Sequence, residues 1–239
     1  MISIVTGTLN RKELIIGLIN NTVVNCDKVE LVLVDGGSTD GTINLIKKIN
    51  HPNIKLVEYG ERSSYPHYMN LGIKNSKYEY ICQWNDDALL VNNWNDVIKE
   101  IDDNDVYLFN WKYGNINDIN NSQWIMGDNH KNGWLLLNNK TDHDGTIVMN
   151  YGIYNKNVFR KIGLYNNEYR YYYADTDMSE RSYYFGMKIK TLSNIKVLSI
   201  QNITKTAKHY EDDLLIFNKN NNLYKEKILP NNIEYEKNT

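Results

Sequence analysis

The chain has 239 residues, of which 27 are basic and 29 acidic, for a formal net charge of −2; this length suits one domain with a full core, and the mixed charge excludes a nucleic-acid footprint or a polybasic membrane patch. The N-terminus passes from Ile2-Ser-Ile-Val5 directly to Asn10-Arg11-Lys12, with neither a signal-peptide core nor a membrane-spanning run, so a soluble protein is expected. Cys26 and Cys82 lack metal-ligand spacing and read as buried free thiols of a reducing, cytoplasmic setting.

Ile2 to Thr6 is a short buried strand, and Leu14, Ile15, Leu18 and Ile19 give residues 11–22 helical spacing. Glu30-Leu-Val-Leu-Val-Asp35 has the continuous apolar character of a strand covered on both faces in a parallel sheet. The Gly-Gly-Ser-Thr-Asp-Gly turn then offers Thr39 or Asp40 as cap for a helix from Thr42. A strand over 54–58, a helix over 67–76 and a strand over 78–84 follow, so strands and helices alternate as in an α/β domain with a mainly parallel sheet. Ligands of such sheets gather at the carboxyl ends of the strands, where Asp35 and Asn85-Asp86-Asp87 fall.

The second half is less regular. A helix over 94–101 and a strand over 105–111 lead into an Asn-, Gly- and Trp-containing stretch, 112–140, whose loops are expected to shape specificity. A strand or bend follows Gly145, and helices are expected over 156–162 and from Thr176 to Phe185, the second ended by Gly186. Residues 188–192 and 195–200 read as two short strands. Beyond Asn220 the Asn-, Lys- and Glu-rich tail reads as a loosely docked helix or as disorder. Nineteen tyrosines suit either a core or a polar ligand surface and do not decide between them.

Adjacent carboxylates repel unless a cation or hydrogen-bond donors compensate them. Asp86 and Asp87 at a strand end therefore suit a hard divalent ion, Mn²⁺ or Mg²⁺, although an acidic turn capping the next helix has the same composition. The Asp142-His143-Asp144 triplet has no partner motif and reads as a solvated turn.

In combination these segments resemble family 2 glycosyltransferases, inverting nucleotide-sugar-dependent enzymes of the GT-A fold. Residues 2–11, Ile-Ser-Ile-Val-Thr-Gly-Thr-Leu-Asn-Arg, resemble the family's opening strand and Tyr-Asn-Arg turn, with Leu9 for the aromatic and Gly7 for the usual Pro. Residues 31–42, Leu-Val-Leu-Val-Asp-Gly-Gly-Ser-Thr-Asp-Gly-Thr, are similar to the family's Val-Val-Asp-Asp-Gly-Ser-Thr-Asp-Gly-Thr. Asn70-Leu-Gly72 resembles its Asn-x-Gly, with Met69 where Arg is common. Asn85-Asp86-Asp87 falls on the Asp-x-Asp motif, and residues 173–189 resemble the late Glu-Asp-x-Asp-Leu-Ser-x-Arg block, with Ala174 for the Glu. The matches keep their order over residues 2–200.

The resemblance implies a single GT-A (Rossmann-like) α/β domain over residues 1–220, with a nucleotide-sugar half (1–90), an acceptor and catalytic half (91–220) and a polar tail (221–239). It implies a nucleotide-sugar donor, UDP-linked before dTDP- or GDP-linked, and a glycan or glycoconjugate acceptor. Asp35, with the backbone near Thr6 and Thr8, would hold a uracil or thymine base; the alternative for Asp35 is a turn carboxylate satisfying the amides of residues 36–38. Asp87 would bind the metal, with Asp86 an alternative ligand and Asn85 bonded to ribose or a metal-bound water. Asp175 would be the general base, with Asp177 its competitor and helix capping its structural alternative. Arg181 would reach the diphosphate or pair with an acid on its own helix. His209 would complete the metal shell. Trp111, Trp124, Trp134, Tyr113 and Tyr151 lie in the acceptor region. Asn85, Ala174 and Met69 also admit a catalytically inactive, nucleotide-sugar-binding scaffold of the same fold.

Overall fold

A computed structural model describes residues 1–114, 151–200 and 209–233, leaving out the side chains of 112, 113 and 193. The sheet has eight strands among the described residues: β1 (Ile2–Thr8), β2 (Val29–Asp35), β3 (Ile54–Glu58), β4 (Tyr80–Gln83), β5 (Ala88–Leu90), β6 (Val106–Tyr113), β7 (Gly152–Asn155) and β8 (Ile189–Ser199). The helices are α1 (Lys12–Ile19), α2 (Thr42–Ile49), α3 (Tyr65–Asn75), α4 (Trp94–Lys99), α5 (Lys156–Ile162), α6 (Ala174–Tyr184) and α7 (Tyr210–Lys225).

The strand order is β3-β2-β1-β4-β7-β6-β8-β5. The expected parallel sheet is the first four of these, where β1 pairs in parallel with β2 and β4, and β2 with β3. Beyond β4 the sheet is mixed, because β7 lies antiparallel between β4 and β6. Every residue of β2 is buried, and its one central charge, Glu30, is satisfied there by the Ser3 hydroxyl and by the Lys77 amide at 2.7 Å.

Several expected boundaries move for identifiable reasons. The first helix becomes a wider π-helical turn over Asn20–Val24, where the Thr22 hydroxyl donates back to the Leu18 carbonyl at 2.7 Å. The two short strands expected near the end are one strand, β8, whose register against β6 jumps between Phe109↔Leu192 and Asn110↔Lys196. Strand β5 has only three residues and pairs antiparallel with β8, too brief to leave a periodic signal. The expected strand or bend after Gly145 lies outside the described residues.

The tail requires correction. The expected domain end at 220 falls inside α7, a sixteen-residue helix with Asp213, Phe217, Asn220 and Tyr224 buried. Its grip is polar: Tyr224 Oη donates to Asp177 at 2.6 Å and Asn221 Nδ2 to Glu180 at 2.9 Å. Both cysteines are free and buried, as expected.

Helix α3 packs across β1 and β2, and its Tyr68 explains the glycine at position 7, where the family usually has Pro, and the glycine at position 36. A Cβ at Gly7 would meet Tyr68 Cδ2 at 2.6 Å, and one at Gly36 would meet Tyr68 Oη at 2.2 Å. Only residues without a side chain leave room for that ring. Gly7→Ala is expected to cost about 1–3 kcal/mol by overpacking. Chemical denaturation measures the loss, and a Tyr68→Ala background should remove most of it.

Candidate active site

The turns after β1 and β2 interlock. Asn10, in the left-handed conformation (φ 54°), accepts the Thr39 amide at 2.8 Å and donates its own amide to Ser38 Oγ at 2.8 Å. Asp40 accepts the Lys12 and Thr42 amides at 3.0 and 2.9 Å. Asn10-Arg11 and Ser38-Thr39-Asp40 are thus one device that fixes two loops at the carboxyl ends of the strands.

Asp35 belongs to that device. Its Oδ1 accepts the Gly37 and Ser38 amides, both at 2.8 Å, and its Oδ2 accepts the Ser38 hydroxyl, with the side chain fully buried. Asp35 thus makes the turn bonds of its structural alternative. Thr6 and Thr8 are buried beside it. Thr8 Oγ1 points to the acidic motif and donates to Asp86 at 2.9 Å.

The acidic motif leaves the sheet after β4. Burial pushes the Asp86 carboxyl up to about 6, against the pull of Arg11, whose Nε lies 3.7 Å away, and of Thr8, while Asp87 adds to the rise. Burial raises the Asp87 carboxyl as well, again opposed by Arg11. Two neighbouring carboxylates incompletely compensated by one guanidinium form a hard, oxygen-only donor set, which fits a divalent cation. His209 caps the start of α7, directly after residues that lie outside the description. Among the described residues no group of three or more His, Cys, Asp or Glu side chains is gathered as a metal cage.

Asn85 is held by a tyrosine of the second half. Its Nδ2 donates to Tyr151 Oη at 3.1 Å, and Tyr151 packs against Trp84 and Trp111. Tyr65, the first residue of α3, lies within electrostatic reach of Tyr151 on one side and of Asp175 on the other. Trp124, Trp134 and the 142–144 triplet lie outside the described residues.

Asp175 sits in the first turn of α6, half-buried. Burial pushes its carboxyl above the ordinary carboxylate range, against the Thr176 amide that Oδ1 accepts at 2.8 Å. The residue two before it, Tyr173, has φ 63°, which is strained for a side chain of this size. Asp213 of α7 holds the approach to that turn by accepting the Arg170 amide at 3.0 Å and those of Tyr171 and Tyr172 at 2.9 and 2.8 Å. Phe217 stacks on Tyr173 at 5.0 Å. Sequence reasoning missed Asp213, because an acid in a polar helix signals nothing until the loop it serves is known.

The competitor for the base role is removed. Asp177 is fully buried and accepts Tyr169 Oη at 2.9 Å, Tyr224 Oη at 2.6 Å and Arg181 Nε at 2.9 Å. Arg181 is corrected with it. Its guanidinium is fully buried and donates to the carbonyls of Ile162 at 2.6 Å and Leu164 at 2.9 Å, so it closes the end of α5 and cannot meet a diphosphate. Met69 is likewise fully buried in the core. Asn70 instead clamps a loop, donating to the Tyr165 carbonyl at 2.8 Å and accepting the Tyr165 amide at 2.9 Å.

With this geometry in view, residues 3–163 match the model of the family described as Glycosyl transferase family 2. The chain belongs to that family. No curated protein matches the chain. Among solved structures, S. aureus TarS aligns with a TM-score of 0.69 at 17% identity, over 90% of this chain and 38% of TarS. TarS 1–349 in complex with UDP aligns at 0.65 and 20% identity, over 82% and 60%. The mannosyltransferase PcManGT from Pyrobaculum calidifontis, in complex with GDP-Man and Mn²⁺, aligns at 0.62 and 16% identity, over 88% and 60%. The chain therefore spans 38–60% of these chains, less than two thirds of each, and the likeness establishes the GT-A fold. Within family 2 it is a glycosyltransferase domain.

Proposed function

We propose that this family 2 domain transfers a sugar from a nucleotide-diphospho-sugar, a UDP-sugar in first place, to a hydroxyl of a glycan or other glycoconjugate, with inversion at the anomeric carbon. The observation that carries this reading is the presence, in a family 2 domain, of the Asp86-Asp87 turn after β4 and a second, separately held carboxylate, Asp175, in the first turn of α6, both with raised carboxyls.

Asp175 takes the proton of the acceptor hydroxyl as that oxygen attacks the anomeric carbon, and the bond to the leaving diphosphate breaks on the opposite face. Its raised ionisation makes it a stronger base than an exposed aspartate. Asp87 would hold Mn²⁺ or Mg²⁺, with Asp86 beside it and His209 as a further ligand. Bound there, such a cation would supply charge neutralisation for the departing diphosphate. Thr8 and Arg11 keep Asp86 oriented toward the same edge. The backbone of Thr6 and Thr8 remains in place to line a base pocket, with Tyr68 as its side wall. PcManGT is described with GDP-Man and TarS with UDP, and Asp35, at the end of β2, would accept the imide N–H of a uracil base alongside its turn bonds. No helix among the described residues is long and apolar enough to cross a membrane, and the buried free thiols fit work in the cytoplasm.

Asp87→Ala is expected to weaken metal-dependent donor binding by about tenfold or more. Calorimetric titration of UDP with and without Mn²⁺ measures this. Equal affinity in the variant, with an unchanged response to chelator, would remove Asp87 from the metal site.

A further inference from the structure

Three consecutive backbone amides converge on one carboxylate just ahead of the proposed base. Asp213, fully buried in the first turn of α7, accepts the Arg170 amide at Oδ1 and those of Tyr171 and Tyr172 at Oδ2, at 3.0, 2.9 and 2.8 Å. Glu211 and Asp212 beside it are exposed, so α7 turns one acid of its first turn inward. Residues 170–173 belong to no helix or strand, and the carboxylate takes the place of a ladder; a charged acceptor holds an amide more firmly than a carbonyl does. The segment so held runs directly into Tyr173, whose left-handed backbone (φ 63°, ψ −2°) caps α6. A side chain of this size keeps that conformation where its surroundings enforce it. Phe217, four residues after Asp213 and buried on the same face of α7, stacks on the Tyr173 ring at 5.0 Å. Helix α7 therefore grips both the backbone before the strained residue and its side chain, two residues ahead of Asp175. Its docking has separate anchors, Tyr224 on Asp177 and Asn221 on Glu180.

We infer that Asp213, with Phe217 behind it, is a positioning residue for sugar transfer, fixing the first turn of α6 so that the Asp175 carboxylate is aimed at the acceptor oxygen. This deepens the reading of Asp175 as the base and rests on it. Asp213 acts through residues 170–173 and touches no reacting atom. Asparagine in its place offers one acceptor oxygen and turns an NH₂ donor toward amides that need acceptors, so the grip on the turn is lost while the volume is kept. Displacing a base by about 1 Å can cost on the order of 10²-fold in rate with binding intact. A loss confined to kcat is therefore the signature of positioning, whereas a merely structural clamp lowers the amount of folded protein and leaves each folded molecule as active as before.

The test compares Asp213→Asn, Phe217→Leu, Asn221→Ala and Asp175→Asn in UDP-sugar hydrolysis with Mn²⁺, where water is the acceptor. The substrate is whichever of UDP-glucose, UDP-galactose and UDP-N-acetylglucosamine wild type hydrolyses fastest. Turnover is expressed per UDP-binding site titrated by calorimetry, so that unfolded protein is not counted. Asp213→Asn should lower kcat by about 10–100-fold and Phe217→Leu by about three- to tenfold, with KM and UDP affinity unchanged. Asn221→Ala breaks the other tie between α7 and α6, and should lower the unfolding temperature while keeping the wild-type kcat. A wild-type kcat per site in Asp213→Asn would overturn the inference, as would a loss of UDP affinity in that variant. An equal fall of kcat in Asn221→Ala would overturn it too, by showing that any loosening of α7 has the same effect. Should Asp213→Asn give no folded protein, Phe217→Leu decides, and a wild-type kcat there overturns the inference. Failure of wild type to hydrolyse any donor, or an undiminished kcat in Asp175→Asn, would instead sink the base reading, and this positioning role with it.

Discussion

Asp175→Asn is expected to reduce sugar transfer by about 10²–10⁴-fold while leaving nucleotide binding near that of wild type. Asparagine is isosteric and can still accept the Thr176 amide that now bonds Oδ1, so the first turn of α6 should keep its shape and only the proton acceptor is lost. The pH profile gives an independent check. Burial holds the Asp175 carboxyl above its ordinary range, so the base form is depleted earlier than for an exposed aspartate as pH falls. The acid limb of kcat should therefore lie above the ordinary carboxylate range and disappear in the residual activity of the variant. Loss of nucleotide binding in Asp175→Asn would withdraw the base assignment, because a base on the acceptor side has no part in holding the nucleotide.

Arg181→Met is expected to destabilise the domain by about 3–5 kcal/mol. The deletion leaves Asp177 charged, fully buried and without its cation, and strips the Ile162 and Leu164 carbonyls of their donors. The same node ties α7 to α6 through Tyr224 and anchors Tyr169 ahead of α6, so its failure should loosen the first turn of α6, which carries Asp175. Urea unfolding measures the loss directly. Nucleotide binding by the population that remains folded should persist, since Arg181 is turned into the core. A variant of unchanged stability that has lost donor affinity would restore the diphosphate role to this arginine.

Half of this arrangement is legible in the sequence. The parallel strands announce themselves as apolar runs because they are covered on both faces, and Asp86-Asp87 is conspicuous because two carboxylates at a strand end demand compensation. Asp175 is found by its place in the late acidic block. Motif position alone, however, leaves Arg181 open between diphosphate binding and an ion pair on its own helix, since the same residue type serves equally as ligand contact and buried clamp. What separates the roles is where the side chain's hydrogen bonds go, a property of tertiary structure. Helix α7 escapes notice for a related reason. Its inward face is Asp213, Phe217, Asn220 and Tyr224, a mostly polar stripe that docks through hydrogen bonds and leaves little apolar periodicity to detect.

The most direct measurement is calorimetric binding of UDP, GDP and dTDP, each with and without Mn²⁺, followed by assay of the corresponding sugar donors for slow hydrolysis. Metal-dependent binding of one nucleotide, UDP foremost, with turnover of one of its sugars is the predicted result. No nucleotide binding in either condition would contradict it, and would leave the domain a scaffold that keeps the family's fold without its chemistry.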